Sequence, residues 1–232
     1  NALVVINTDG TAPLSQRQVF NFNTIPALQG ATDIAVGSTL ASGKQFVFVA
    51  STTAITVFER NTSTGNLTLI GSATGTSGFT TLAVSPDGNS LYAGGASGIT
   101  RFAVSGSGGL TVAATSQGIS GITAIAQSPS TNPSFSSDLY AISASNSTLY
   151  LLDASTLSMQ TSLVGAQQLG LTGPLAITIS PDGQSVFVAS TVSSAIAVIA
   201  RDTAAPLLSL AQILCAHWRT RTALQSAGMA IS

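Results

Sequence analysis

Phe79 to Tyr92 reads FTTLAVSPDGNSLY, and Pro174 to Phe187 reads PLAITISPDGQSVF. Each is an apolar run ending in Ser, a Pro-Asp-Gly turn, and a second apolar run. Pro86 and Pro181 preset φ near -65°, Asp87 and Asp182 can bond the backbone two residues on, and Gly88 and Gly183 accept positive φ. Both stretches therefore predict β-hairpins. Working outward, degenerate copies follow: Ile34–Ser38 with Phe46–Ser51, and Ile125–Ser128 with Leu139–Ser143, while Gly228–Ser232 (GMAIS) stops where the turn would begin. The anchor serines Ser38, Ser85, Ser128, Ser180 and Ser232 are spaced 47, 43, 52 and 52. Periods of roughly 40 to 50 residues built of several short strands are the mark of propeller blades.

Within a unit, four short strands A to D are expected. In the second unit these are Thr81–Ser85, Ser90–Gly94, Ile99–Val104 and Leu110–Ala114, filled with Val, Ile, Leu, Phe, Tyr and Thr and jointed by Gly, Ser, Asn and Asp. The near-continuous apolar A runs predict strands buried between neighbouring blades. The fold class is all-β: a β-propeller of four-stranded blades with about five blades represented, part of a larger ring of about seven. One domain or fragment spans 1–232. Residues 1–20 supply strands C and D of one blade, then 31–72, 79–114, 123–163 and 175–212 supply four full blades, and 228–232 the first strand of the next. A B strand is missing from any ring these strands could close. The chain is therefore expected to be a window on a longer propeller, or a ring completed by another chain.

Of the 232 residues 44% are hydrophobic and only 6% charged, with a net charge of -1. That excludes disorder, a coiled coil and an electrostatic nucleic-acid binder. The 33 Ser and 29 Thr supply the polarity instead, a hydroxyl-rich surface that suits an extracellular or cell-surface setting. No apolar run reaches the ~18 residues of a membrane span, so no membrane insertion is expected. Cys215 is the single cysteine, which excludes an intrachain disulfide and a Cys-cluster metal site.

The unit SPDGQSVFVASTVSSAIAVIARD (Ser180–Asp202), with TAITVFERNTSTGNLTLIG (Thr53–Gly71), resembles the YVTN or lactonase-like repeat of β-propellers. It is similar to repeats of large bacterial surface proteins and, more distantly, to 6-phosphogluconolactonase-type enzymes. The matching residues are turn and core residues, so the resemblance implies a fold and transfers no site residue.

Catalytic chemistry finds little support. A Ser-His-Asp triad would have to use His217, the single histidine, and no G-x-S-x-G elbow presents a nucleophile. Neither a metal site nor a cofactor is expected. Arg60 and Arg201 close equivalent C strands beside Glu59 and Asp202, and solvated rim pairing is the favoured reading over an anion-binding ring. One patch stands out: His217, Trp218, Arg219 and Arg221 follow the last D strand, and Trp and Arg are favoured in binding hot spots. Stacking of Trp218 on a sugar ring or an apolar side chain is set against a role in capping the gap between blades. The function expected is a non-enzymatic extracellular propeller, a structural, adhesive or protein-interaction module whose partners are other chains, further blades or glycans. The alternative is a lactonase-like hydrolase with catalytic residues outside this window.

Overall fold

The computed structural model describes residues 2–7, 15–74, 78–129, 138–164, 170–201 and 210–214. Among the described residues, eighteen strands form one two-stranded and four four-stranded antiparallel sheets in series, as the repeat predicts. β1 (Ala2–Asn7) pairs with β2 (Ser15–Asn21). The first four-stranded sheet comprises β3 (Asp33–Val36), β4 (Gln45–Ala50), β5 (Ala54–Arg60) and β6 (Leu67–Thr74). The second is β7 (Phe79–Val84), β8 (Ser90–Gly95), β9 (Gly98–Val104) and β10 (Leu110–Thr115). The third is β11 (Ile122–Gln127), β12 (Asp138–Ser143), β13 (Thr148–Asp153) and β14 (Met159–Val164). The fourth is β15 (Pro174–Ile179), β16 (Ser185–Ser190), β17 (Ala195–Ala200) and β18 (Leu210–Leu214). Each sheet pairs in chain order A-B-C-D.

The period-2 alternation of side chains splits every middle strand between two cores. Leu91, Ala93, Phe102 and Val104 face back to Phe48, Ala50, Ile55 and Val57 of the preceding sheet. Tyr92 and Ile99, on the other side of the same strands, face forward to Ile122, Leu139, Ala141 and Leu152. Tyr140, Ile142, Leu149 and Leu151 then face forward to Val186, Val188, Ala197 and Ile199. β1 and β2 cover the back of the first four-stranded sheet, where Leu3, Val5 and Phe20 meet Val47, Val49, Phe58 and Leu67.

Two expectations are corrected. The A strands are not the most buried: β8 and β12 are buried throughout, whereas Ile34, Val36 and Leu175 of the A strands are exposed. An A strand is an edge strand with no strand paired on its inner side, so its apolar run packs on neighbouring sheets while one flank stays open. The anchor-serine position of the first unit is held by Gly37 rather than Ser38. Gly37 N–H donates to the Phe46 carbonyl as Ser85, Ser128 and Ser180 donate to Ser90, Asp138 and Ser185.

Free outer edges invite strand addition, and charges or bulges normally blunt them. Here bulges predominate. Each D strand of the first four sheets holds one residue more than its C partner: Arg17, Ile70, Ala113 and Gln160, with a matching irregularity in β18.

Candidate functional site

Up-and-down pairing puts B–C turns and D–A loops at one end of the sheets, and A–B and C–D turns at the other. Hydrogen bonds tie each end together. At the first, Gly121 N–H donates to the Ala96 carbonyl at 3.0 Å, and Thr191 N–H to that of Gly173 at 3.0 Å. At the second, Val104 N–H donates to the Asn89 carbonyl at 2.9 Å and Arg201 N–H to that of Gln184 at 2.8 Å.

The two ends differ in charge. Among the described residues, every Lys, Arg, Asp and Glu except Asp33 lies at the A–B/C–D end or reaches to it. Lys44 and Asp138 sit where B strands begin, Glu59, Arg60, Asp153 and Arg201 where C strands end, and Asp87 and Asp182 in A–B turns. Arg17 and Arg101 donate to carbonyls of the C–D turns next door, at Thr64 and Ser155. The described B–C turns and D–A loops carry Ser, Thr, Gly, Ala, Asn and Gln with a few apolar residues and no charge. Asp33 is committed to architecture: its carboxylate accepts from Leu82 N–H at 2.7 Å and Ile34 N–H at 2.8 Å.

A repeated device shapes the neutral end. Gly30, Gly78, Gly121 and Gly173 have φ of 68°, 82°, 64° and 64° and feed the A strands. At Gly30, Gly121 and Gly173 a Cβ would collide with Thr52, Ser145 and Val192 of the B–C turn in the same sheet, so close approach requires glycine as well as positive φ. Next comes a bulge that re-aims one side chain in three of the four A strands: Thr80, Thr123 and Leu175. Thr80 Oγ1 donates to the Ile122 carbonyl of the next A strand at 3.1 Å, as Thr32 does to Phe79 at 3.0 Å.

At the charged end the predicted turn residues stand where expected. Pro86-Asp87-Gly88 and Pro181-Asp182-Gly183 close the A–B hairpins, with Gly88 and Gly183 at φ 76° and 72°. Ser85 Oγ donates to Asp87 Oδ1 at 2.5 Å and accepts from Ser90 N–H at 2.8 Å, and Ser180 repeats this with Asp182 and Ser185. Partial burial pushes the Asp87 carboxyl up, but the Ser85 hydroxyl and the Asn89 amide groups outweigh it and hold it below the usual range. The Ser180 hydroxyl does the same for Asp182. Asp153 is held low first by the Ser155 hydroxyl, then by the N–H and hydroxyl of Thr156. A depressed carboxyl stabilises the fold above its unfolded pKa, and the gain is lost as pH falls through the folded value. Asp153→Ala should therefore lower stability at pH 7 by about 1 kcal/mol, and urea midpoints of variant and wild type should converge toward pH 2.

The arginine pairing departs from expectation. Arg60 Nη1 donates to Gln45 Oε1 at 2.8 Å, while Glu59 pairs with Lys44 at 2.8 Å. Arg201 is no solvated rim residue: Nη2 and Nε lie 2.5 Å and 2.7 Å from Asp138 Oδ2 of the preceding sheet, with side chains 7% and 3% exposed. Burial pushes the Asp138 carboxyl up against the pull of Arg201. Burial also raises Tyr140, whose hydroxyl donates to Asp138 at 3.4 Å. No local motif announces a pair 63 residues apart in sequence. His217, Trp218, Arg219 and Arg221, like Cys215 and Asp202, lie outside the described residues. Among the described residues no three His, Cys, Asp or Glu side chains group as metal ligands.

No family model matches the chain, and no curated protein does. Solved structures do. A candidate 6-phosphogluconolactonase from Bacteroides uniformis superposes with a TM-score of 0.64 at 19% identity, over 91% of this chain and 64% of its own. Another, from Bacteroides fragilis, gives 0.66 at 16%, over 91% and 64%. The Swd1 β-propeller domain of Myceliophteria thermophila gives 0.62 at 18%, over 84% and 61%. The chain is thus similar in fold to lactonase-like and other β-propellers, and spans less than two thirds of their length.

Proposed function

We propose that the chain is a non-enzymatic, extracellular β-propeller module of a larger surface protein or assembly, binding neutral partners through its B–C/D–A end. The observation that carries this reading is the segregation of charge. A phosphorylated lactone or other anionic substrate calls for cations aimed at it. The five described cations stand at the opposite end, each bonded to a carboxylate, carboxamide, hydroxyl or carbonyl of the fold. A surface of hydroxyls, glycine backbone and amides suits glycans or polypeptide. On this reading Trp218, in the stretch that follows the last D strand, is the stacking residue, with His217, Arg219 and Arg221 beside it in sequence.

The second reading is a lactonase-like hydrolase. The superposition on two candidate 6-phosphogluconolactonases favours it, and its catalytic residues would then lie outside this window. Incubating the native protein, purified from its source, with 6-phosphogluconolactone separates the two. Hydrolysis at the uncatalysed rate is expected; a faster rate that co-purifies with the protein would establish the enzyme. Protease treatment of intact source cells should degrade the protein if it lies at the surface, and full protection would exclude that location.

A further inference from the structure

The C–D turns of the first and third four-stranded sheets, residues 61–66 and 153–158, are built alike. Asn61 N–H donates to the Asn66 carbonyl at 2.8 Å as Asp153 N–H does to that of Ser158 at 3.0 Å, and the fifth residue, Gly65 or Leu157, donates back to the first at 2.7 Å and 2.8 Å. In each turn the first side chain is the cap: Asn61 Oδ1 accepts from Ser63 and Thr64 N–H, and Asp153 Oδ1 from Ser155 and Thr156 N–H. An arginine of the preceding sheet donates to a carbonyl of each, Arg17 to Thr64 and Arg101 to Ser155. Two differences matter. The cap is a carboxylate in the third sheet and a neutral carboxamide in the first. The fifth position has positive φ in both, 75° and 59°, but Leu157 is buried in the core shared with the second sheet, whereas Gly65 has no side chain to place.

The space that a side chain would take at Gly65 is bounded by two guanidinium groups. A Cβ there would stand 3.3 Å from Arg17 Nη1 and 3.8 Å from Arg60 Nη2, and among the described residues beyond its chain neighbours nothing else lies within 4 Å. Neither arginine bonds a carboxylate among the described residues: Arg17 meets the Thr64 carbonyl, Arg60 Nη1 meets Gln45 Oε1, and Glu59 is taken by Lys44. A guanidinium carries five N–H donors, so donors remain on both. Like charges converging on a gap repel one another, and an oxyanion between them removes that repulsion and accepts from both forks. We propose that this gap is a site for a tetrahedral oxyanion, sulfate or phosphate, held between Arg17 and Arg60 against residues 61–66. In the third sheet the equivalent turn carries its own negative charge at Asp153 and fills the gap with Leu157, so an anion has neither role nor room there.

Isothermal titration calorimetry of the full-length protein with inorganic sulfate, inorganic phosphate and their monomethyl esters, at constant ionic strength in chloride, tests this. Saturable uptake of one ion per chain in the millimolar range is expected. An ester that binds as tightly as its free ion shows that the group is taken as part of a larger molecule; one that binds about tenfold weaker shows that the free ion is the ligand. Arg60→Gln removes charge-assisted bonds and Gly65→Leu removes the room for the ion, so each should weaken uptake by about tenfold or more. Asn61→Asp keeps the cap and adds the charge found at Asp153, and should weaken uptake as much. Arg101→Gln removes an equal charge beside the other turn and should leave uptake unchanged. Circular dichroism should match wild type in all four. No saturable uptake by wild type, an Asn61→Asp variant that binds as wild type does, or an Arg101→Gln variant as weak as Arg60→Gln would each overturn the proposal. Uptake that appears only in Asp9→Asn would overturn it too, since the Asp9 carboxylate, which lies outside the described residues, would then be the anion of the gap. The site stands at the charged end, away from the B–C turns and D–A loops, so this idea and the proposed function fail separately.

Discussion

Asp138→Ala is expected to lower the stability of the fold by about 3–5 kcal/mol, the cost of leaving one partner of a buried ion pair uncompensated. Asp138 opens β12 and Arg201 follows β17, so their contact joins the third and fourth four-stranded sheets. Without the carboxylate, a guanidinium whose side chain is only 7% exposed keeps its charge and loses the two contacts it makes with Asp138 Oδ2. Tyr140 loses its hydrogen bond to Asp138 at the same time. The pair is expensive to break and need not be favourable to have. Asp138→Leu combined with Arg201→Met should therefore recover most of the loss, to within about 1–2 kcal/mol of wild type. Urea unfolding of the two single variants and the double variant measures this. Single-variant losses that simply add in the double variant would show that the two side chains do not act as a pair.

Phe58→Ala should cost about 3–5 kcal/mol through the cavity it leaves. Phe58 is fully buried, and its ring centroid lies 4.9 Å from that of Phe20 at 51°. Around it stand Val47, Val49, Leu67 and Leu28, with Leu3 and Val5 of β1 closing the cluster. A two-stranded sheet is marginal by itself, so β1 and β2 depend on this contact. Their amide protons should lose protection in Phe58→Ala while those of β12 and β13, two sheets away, keep theirs. Phe58→Leu, which refills most of the volume, should cost far less. Equal loss of protection in all sheets would mean that the series unfolds as one unit and that β1–β2 has no separate stability.

The repeat was readable because its marks are local. A Pro-Asp-Gly turn needs only its own backbone angles, and apolar alternation needs only a sheet with two packed faces. Ser85 and Ser180 show why Ser precedes the turn: their hydroxyls bond the Asp two residues on and the amide that opens the B strand. Where the first unit replaces Pro-Asp-Gly with a longer connection, the reading slipped by one residue, from Gly37 to Ser38. Along such a connection nothing local ties anchor to strand; the Gly37 bond to Phe46 does so only once β3 and β4 pair.

The candidate patch at His217, Trp218, Arg219 and Arg221 was legible only as an oddity of composition, and it lies outside the described residues. The absence of charge from the described B–C turns and D–A loops was hidden for a different reason. Its residues are scattered as Ser, Thr and Gly through every unit, and their shared neutrality has no meaning until antiparallel pairing gathers alternate joints at one end.

Strand number, turn chemistry and blade order thus reside in the amino-acid order, because each depends on contacts within a few residues or on a period that repeats. Packing alone decided that Arg201 reaches back to Asp138 instead of staying at a solvated rim. Packing also decided that bulges blunt most outer edges among the described strands, and that β8 and β12 are buried throughout while Ile34, Val36 and Leu175 of the A strands are exposed. These depend on which sheet lies beside which, and strands of one chemical character do not record their neighbours.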